Sequence, residues 1–323
     1  MAGARAQGSG ITTESRQVLA LEREAVDLVD RMPELLMEAD RIASTVAQGI
    51  HGRRRAGPGE TFWQFRQYQP GENATLVDWR RSASSDHLYI REREWEAAHT
   101  LHLWPDISPS MNFQSHIAPV SKRDRVLVLT LAAAELLVRG GERVALLAQT
   151  SPTASRNAAT RIAETIAGHS RSEAMNTGLP PKASLSRFSG LILFSDFLSP
   201  PHVIRERLEG FAGNGVAGHM VQVLDPAEET LPYHGRTEFL SPSGGERWVA
   251  DRVEALRPKY RARFEAHRAE LTEMAKRFGW SFLTHHTDRP ASEPLLSLLM
   301  RLQGSTSGYK WMAGSSDATE RAP

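Results

Sequence analysis

The chain contains 323 residues, and its 39 basic and 38 acidic side chains leave a formal net charge of +1. A balance this close excludes a strong overall field that would attract nucleic acid or an anionic membrane. Cysteine is absent, which excludes disulfide bonds, thiolate zinc sites and thiol nucleophiles and is consistent with a reducing compartment. The longest apolar run, residues 126–138, is too short to span a bilayer, and the first residues lack the apolar core of a signal peptide. We therefore expect a soluble, cytoplasmic protein without a membrane span.

The N-terminal region is predicted to be helical after a disordered start. Residues 1–12 are small and polar, a composition typical of disorder. Across residues 13–50 the apolar residues recur at helical spacing, and Pro33 falls where a second helix could open. We therefore predict a pair of N-terminal helices that forms a segment of its own. Polar composition predicts a second disordered stretch over residues 304–323.

Residues 51–96 predict a small β-rich module, because aromatic residues and turn signals are concentrated there. The module opens with a glycine-rich loop that holds three consecutive arginines, residues 53–55. Together with aromatic residues such as Trp63 and Tyr68, these arginines leave nucleic-acid binding open as an alternative function. A solvated turn beside a buried aromatic cluster is the simpler interpretation, and nearby acidic residues dilute the basic patch. We therefore do not expect nucleic acid to be the partner.

From residue 97 to residue 303, short predicted strands alternate with predicted helices. The strands cover residues 101–104, 144–148, 191–195, 219–224 and 280–284, and the helices cover residues 122–139, 158–167, 201–211, 260–278 and 292–302. Repeats of this kind predict an α/β fold, in which a doubly wound, mostly parallel sheet carries helices on both faces.

The first predicted strand of this region runs directly into Asp106-x-Ser108-x-Ser110. Alternate residues of an extended loop point the same way, so one carboxylate and two hydroxyl groups should converge. Hard oxygen ligands of this kind suit Mg²⁺. The pattern resembles the metal-ion-dependent adhesion site of von Willebrand factor A domains. An ordinary strand-to-helix turn, whose serines cap the helix, is the alternative.

A second carboxylate is predicted at the same edge of the sheet. Asp196 follows the strand over residues 191–195, and ligands of doubly wound folds bind beyond the carboxyl ends of the strands. We therefore expect Asp196 to lie near Asp106, although it could serve only as a helix N-terminal charge. The resemblance to adhesion sites also implies a threonine from an intervening loop. Thr177 fits by position, whereas Thr165 falls within a predicted helix.

Three further patterns are not interpreted as functional sites. Gly213-x-Gly215-x-x-Gly218 matches a dinucleotide fingerprint, but it follows a helix and precedes a strand, which is the reverse of the required order. Residues 285–286 are both histidines, but neighbours on a strand point to opposite faces. Ser110 has no histidine nearby to activate it as a nucleophile. We therefore expect no catalytic residues, and we retain a metal-dependent hydrolase only as an alternative.

An ordered set of motifs resembles the domain-of-unknown-function family fifty-eight over about residues 50–303. The set comprises Arg66-x-Tyr68-x-Pro70-Gly71-Glu72, Asp78-Trp79 with Ser82-Ala83, the Asp106 motif, and Leu224-Asp225-Pro226 followed by Glu228 and Gly235. Two positions depart from the usual pattern of the family. Glu72 stands in place of an aspartate, which is a mild change. Ser84 stands in place of an arginine, and this puts the contact of that arginine in doubt.

The resemblance implies a von Willebrand A-like domain and a non-catalytic role in metal-assisted protein recognition. The implied Mg²⁺ ligands are Asp106, Ser108 and Ser110, with Thr177 and Asp196 acting directly or through water. The resemblance also implies a MoxR-type AAA+ ATPase as partner, acting with an unknown client protein in chaperone-like assembly. The residues expected to be structural or to form an interaction surface are Arg66, Tyr68, Gly71, Asp78 and Trp79, with the indole of Trp79 buried.

Overall fold

The structure of the chain, a computed structural model, describes residues 13–51, 62–68, 77–85, 87–93, 99–169, 177–242 and 246–302. The helices are α1 (Thr13–His51), α2 (Trp79–Ser82), α3 (Lys122–Arg139), α4 (Ala158–His169), α5 (Pro201–Gly213), α6 (Pro226–Thr230), α7 (Val253–Arg277) and α8 (residues 292–302). The strands are β1 (Phe62–Gln67), β2 (Tyr89–Arg93), β3 (Thr100–Pro105), β4 (Arg143–Leu146), β5 (Gly190–Ser195), β6 (Ala217–Leu224), β7 (Thr237–Leu240), β8 (Arg247–Ala250) and β9 (Ser281–His286). The chain divides into two units, one formed by Met1–Ile50 with His99–Pro323 and the other by His51–Ala98.

The larger unit is built on a five-stranded parallel sheet with the strand order β4-β3-β5-β6-β9. This confirms the predicted α/β fold with a parallel sheet flanked by helices. The chain passes from β3 to β4 on one side and then returns to β5 on the other side. The topological switch point therefore lies between the carboxyl ends of β3 and β5, where doubly wound folds place their ligands.

Alternating side chains of the central strands divide the hydrophobic core into two layers. Ile192 and Phe194 of β5 pack into a cluster with residues of α1, α3, α4 and α8. Leu191 and Leu193 point to the opposite face and pack with residues of α5 and α7. All six residues of β5 are buried, as expected for a strand covered by helices on both faces.

The predicted pair of N-terminal helices is wrong, because α1 is one continuous helix with Pro33 in its interior. Leu28, Leu35 and Ile42 of α1 belong to the same buried cluster as residues of α3. Residues 13–50 are therefore not the separate segment that the sequence predicts. An interior proline costs a helix about 3 kcal/mol, and an apolar stripe that continues on both sides of Pro33 can offset that cost.

The smaller unit contains the antiparallel pair β1 and β2, with the short helix α2 between them. Asp78 caps α2, since its carboxylate accepts a hydrogen bond from the backbone N–H of Arg81 at 3.0 Å. Trp79 is 62% exposed, so the expectation of a buried indole is wrong. The cap begins a helix at Trp79, and this first helical residue points to solvent.

The region after β6 contains elements that the sequence did not predict. β7 and β8 form an antiparallel hairpin, and α7 begins at Val253, ahead of the predicted start at residue 260. Arg257 joins α7 to the preceding loop by donating hydrogen bonds to the carbonyl groups of Leu231 at 3.0 Å and Tyr233 at 3.1 Å.

Across the described ranges, the structure contains no helix with the length and apolar character needed to cross a membrane.

The glycine pattern around residue 215 serves the packing of the fold. Gly215 adopts a left-handed conformation with φ +74° at the turn between α5 and β6. Gly218 on β6 lies against the buried indole of Trp280, and a β-carbon at Gly218 would lie 1.9 Å from Cδ2 of that ring. The indole N–H also donates to the carbonyl of Val216 at 2.9 Å, so the ring has little freedom to move away.

Gly218→Ala is expected to destabilise the larger unit by about 1–3 kcal/mol or more, because overpacking displaces the indole of Trp280. Gly210→Ala is the matched control, since Gly210 lies on the exposed face of α5 with open space around it. That change should stabilise the protein by roughly 0.5–1 kcal/mol. Urea unfolding measures both, and equal stability of the two variants would contradict the packing argument.

Trp79→Ala is expected to change the free energy of unfolding by less than about 0.5 kcal/mol, because the side chain is mostly in solvent. Asp78→Ala removes the cap of α2 and should cost about 0.5–2 kcal/mol. Both variants are compared by urea unfolding monitored by circular dichroism. A loss of 3 kcal/mol or more for Trp79→Ala, as for a truncated core tryptophan, would show that the ring is buried.

Candidate functional site

The site begins where β3 ends at the switch point. The backbone N–H of Asp106 donates to the carbonyl of Phe194 at 2.8 Å, which extends the pairing of β3 with β5 by one residue. The chain then turns, and the N–H of Ser108 donates to Oδ1 of Asp106 at 2.9 Å. This local hydrogen bond fixes the carboxylate at the edge of the sheet. Asp106 is only 1% exposed, so its orientation is set by protein groups and not by solvent.

A serine that the sequence analysis passed over holds the other oxygen of Asp106. The hydroxyl of Ser195, the last residue of β5, donates to Oδ2 of Asp106 at 2.6 Å. Ser195 Oγ in turn accepts the N–H of Phe197 at 3.0 Å. Its position directly before Asp196, on the strand next to β3, was the available signal. Ser195 thus ties the turn after β5 to the first carboxylate of the site.

The structure brings four of the predicted ligands into one hydrogen-bonded network. The hydroxyl oxygens of Ser108 and Ser110 lie 3.2 Å apart. Ser110 donates to Oδ2 of Asp196 at 2.8 Å, across the switch point. Oδ1 of Asp196 accepts the N–H of Leu198 at 3.1 Å. Together with Asp106, these side chains form a compact cluster of oxygen atoms between the ends of β3 and β5.

Thr177 lies outside this network, contrary to the expectation from its position in the sequence. Its exposed hydroxyl donates to the carbonyl of Leu179 at 3.2 Å. The neighbouring Gly178, which is left-handed with φ +65°, faces the site instead. A β-carbon at Gly178 would lie 3.5 Å from Ser108 Oγ and 3.8 Å from both Asp106 Oδ2 and Ser199 Oγ. The loop therefore brings backbone, and not the threonine hydroxyl, to the site. Thr165, the poorer candidate, donates to the carbonyl of Arg161 within α4.

The site also contains a buried cation, Lys122, which the sequence analysis did not identify. Lys122 is the first residue of α3 and is 0% exposed. Its ammonium group donates to Oδ2 of Asp196 at 2.9 Å and to Oε1 of Glu228 at 2.6 Å. A lysine at the start of a helix is ordinarily solvated, so the sequence offered no direct signal for this role.

Glu228 is held in place by the first turn of α6. Asp225 and Glu228 form a capping box, in which Glu228 Oε2 accepts the N–H of Asp225 at 2.9 Å. The carboxylate of Asp225 accepts the N–H groups of Ala227 at 2.8 Å and Ser115 at 2.7 Å. Tyr260 of α7 donates from its hydroxyl to the carbonyl of Glu228. The motif that begins at Leu224 therefore fixes the carboxylate of Glu228 beside the ammonium group of Lys122.

Burial dominates the electrostatics of these groups. It raises the pKa of Asp106 above its usual range, the charge of Asp196 raises it further, and hydrogen bonds from Ser108 and Ser195 offset only part of the effect. Burial also raises the pKa of Glu228, against the opposing effect of Lys122. For Lys122, burial would lower the pKa, but Asp196 and Glu228 outweigh it and the pKa is raised. The ammonium therefore stays charged at neutral pH.

The donor atoms of the site fit a hard divalent cation in chemical type. Carboxylate and hydroxyl oxygens are the ligands that Mg²⁺ prefers, and a β-carbon at Gly178 would be in ordinary van der Waals contact with Ser108 and Asp106. Within the described part of the chain, no group of three or more histidine, aspartate or glutamate side chains has a metal-binding arrangement. An ion here would therefore depend on the serine hydroxyl groups and on water.

These features define an α/β protein with a buried polar site at the switch point of a parallel sheet. The chain belongs to the family described as "Protein of unknown function DUF58", which matches residues 64–270 and therefore more than half of the chain. Uncharacterized proteins of Mycobacterium bovis and Mycobacterium tuberculosis are each 26% identical over 284 residues, which is 82% of this chain and 87% of the relative.

Two solved structures are similar at a lower level. The conserved hypothetical protein BatB from Bacteroides thetaiotaomicron has a TM-score of 0.42 and 14% identity, and the match covers 64% of this chain and 100% of that one. An aerotolerance-related membrane protein from Bacteroides fragilis has a TM-score of 0.40 and 13% identity over the same shares. TM-scores this low do not establish a shared fold.

Asp106→Asn is expected to stabilise the protein in ion-free buffer near neutral pH, by an amount on the order of 1 kcal/mol. The raised pKa of Asp106 means that the folded state prefers the protonated carboxyl. Its contribution to stability is therefore present below the unfolded value of about 3.9 and is lost as pH rises through the folded value. The advantage of the asparagine variant should accordingly appear as pH rises and vanish in acid.

Urea unfolding across a pH series in EDTA tests this expectation. Asp225→Asn is the matched control, because Asp225 is also a buried carboxylate at a strand end but accepts two backbone N–H groups. That change weakens a helix cap and should lower stability. If Asp106→Asn lowered the free energy of unfolding at pH 7 as much as Asp225→Asn does, the charged carboxylate of Asp106 would not destabilise the folded state.

Proposed function

We propose that the chain is a non-catalytic protein-interaction module of the von Willebrand A-like type. In this proposal the site binds a divalent cation such as Mg²⁺ together with an acidic side chain of a partner protein. The observation that carries it is the convergence of Asp106, Ser108, Ser110 and Asp196 in one network at the switch point. A convergent set of oxygen ligands at this edge of the sheet is the arrangement that such recognition needs.

Each residue has a distinct role in the proposed site. Asp106, Ser108 and Ser110 would hold the cation directly, and Asp196 would act through water because Ser110 and Lys122 already occupy one of its oxygens. When bound, the cation supplies a positive position that can accept a carboxylate from the partner. Gly178, whose backbone faces Ser108 and Asp106, marks the side of the site from which the partner's side chain would approach.

The hydrogen bonds of the two serines favour recognition over hydrolysis. Ser108 and Ser110 contact each other, and Ser110 donates to a carboxylate that already pairs with an ammonium group. A serine nucleophile instead needs a neighbouring general base that is free to take its proton. This arrangement keeps the hydroxyl groups in place as ligands.

We further propose that the partner is a MoxR-type AAA+ ATPase, with which the chain acts in the cytoplasm on a client protein. This proposal rests on the family resemblance of the ordered motifs, from Arg66 to Gly235, and not on a contact in the structure. A partner of this kind would present the acidic side chain that completes the site.

Asp106→Ala is expected to abolish divalent binding while the fold is retained, because the residue lies at the edge of the sheet and not in the apolar core. Calorimetric titration with MgCl₂ or MnCl₂ compares this variant with the wild-type chain and with Asp225→Asn. The control should bind like the wild type, because Asp225 is not a proposed ligand and its carboxylate instead accepts the N–H groups of Ser115 and Ala227. Unchanged affinity in Asp106→Ala would rule out the metal site.

The partner is tested by titrating the full chain with a purified MoxR-type AAA+ ATPase from the same genome, in Mg²⁺ and in EDTA. If the partner's carboxylate is a ligand, Mg²⁺ tightens the complex, and the partner tightens Mg²⁺ by the same factor. Ser108→Ala should weaken both together. Equal binding in Mg²⁺ and in EDTA would show that recognition does not use the cation.

A further inference from the structure

We infer that the ammonium group of Lys122 is the resident cation of this site, and that it competes with a divalent ion for Asp196. In this role Lys122 keeps the affinity of the free chain for divalent ions low. The inference deepens the proposed function and rests on it in one respect, namely that the wild-type chain binds a divalent ion. The contacts of Lys122 that carry the inference are observed in the structure.

The position of Lys122 is built into the fold and does not depend on a flexible surface contact. Ser121 caps α3 by accepting the N–H of Asp124 at 3.1 Å, and Lys122 follows as the first helical residue. The backbone N–H of Lys122 donates to the carbonyl of Phe113 at 3.2 Å. The Nζ atom of Lys122 lies 6.0 Å from the centre of the Phe113 ring. The side chain is thereby directed inward, towards the ends of β5 and β6.

The ammonium group of Lys122 contacts two carboxylates, those of Asp196 and Glu228, and offsets their negative charge. Its distances of 2.9 Å to Asp196 and 2.6 Å to Glu228 are those of charge-assisted hydrogen bonds. Asp106 differs, since within the described part of the chain its carboxylate receives hydrogen bonds from Ser108 and Ser195 but forms no ion pair. The site therefore holds two acids that share an ammonium counterion and one acid, Asp106, for which the described residues provide neutral donors and no counterion.

Two physical effects then weaken a divalent ion bound beside Asp106. The ammonium repels a second cation placed near Asp196. It also shares Oδ2 of Asp196 with Ser110, so that this oxygen is not free for direct coordination. Removing the ammonium ends this repulsion and leaves the charges of Asp106, Asp196 and Glu228 without a counterion, so that the electrostatic field at the site favours a divalent ion more strongly.

The test uses three full-length variants. Lys122→Gln removes the ammonium, and Lys122→Gln with Glu228→Gln removes the ammonium and one carboxylate, so that the net charge of the site equals that of the wild type. Arg139→Gln is the matched control, because Arg139 lies on the same helix and also bridges two acids, Asp40 and Glu135, but on the surface. Calorimetry with MnCl₂ and thermal unfolding in EDTA or in MgCl₂ are measured for each variant.

Lys122→Gln is expected to bind Mn²⁺ at least about tenfold more tightly than the wild type, since a like charge close to the ion is removed. Its melting temperature should fall in EDTA, where buried carboxylates lose their counterion, and should rise again with MgCl₂. The double variant, whose site has the same net charge as the wild type, should respond to MgCl₂ no more strongly than the wild type does. Arg139→Gln should match the wild type in ion affinity.

The outcomes separate this inference from the proposed function. If the wild type binds no Mn²⁺ but Lys122→Gln does, ion-assisted recognition fails and the role of Lys122 stands. If Lys122→Gln binds no more tightly than the wild type, the inference is overturned whatever the wild-type affinity. If Lys122→Gln does not fold in either buffer, recovery of folding in the double variant supports the inference. Continued failure to fold overturns it, because Lys122 would then act by filling space.

Discussion

The site depends on the compensation of charge that is buried at one edge of the sheet. Asp106, Asp196 and Glu228 are brought together by β3, β5 and α6, and an isolated carboxylate in such a place is costly. Lys122 offsets this cost for Asp196 and Glu228 by contacting both. Removing one partner of such an arrangement leaves an uncompensated buried charge. The ammonium group at the start of α3 therefore links the residue after β5 with the first turn of α6.

Asp106 differs from these two acids, because the described residues that donate hydrogen bonds to its carboxylate, Ser108 and Ser195, are neutral. The raised pKa of Asp106 means that the folded state favours the neutral, protonated carboxyl over the charged carboxylate. Residues that reduce stability in this way are concentrated at functional sites, where the unfavourable energy can be relieved by a ligand. The backbone next to the site also adopts an unfavourable conformation. Phe197, directly after Asp196, has a left-handed φ of +49°, and His267 lies 2.7 Å from its carbonyl and supports the turn.

The family to which the chain belongs has no known function, so the physical arrangement of the site has to guide experiments. Three properties are useful for that purpose: a convergent set of oxygen atoms, a buried ammonium group, and a glycine, Gly178, whose backbone faces the site. In the proposed function, the first two would have opposite effects on ion binding. The site would then be weakly occupied in the free chain and strongly occupied with an acidic partner.

The sequence by itself determined the α/β class and the residues that end the central strands. Apolar runs such as β5 and the positions of Asp106 and Asp196 are local signals, and the topology of parallel sheets then brings strand ends to one edge. The tertiary structure alone decided which side chains meet there. Lys122 became a site residue through contacts with residues 74 and 106 positions away. Long-range packing also kept α1 continuous through Pro33, and the loop after α4 presents the backbone of Gly178 to the site while Thr177 contacts Leu179. Such contacts depend on three-dimensional placement, for which periodicity and spacing carry no signal.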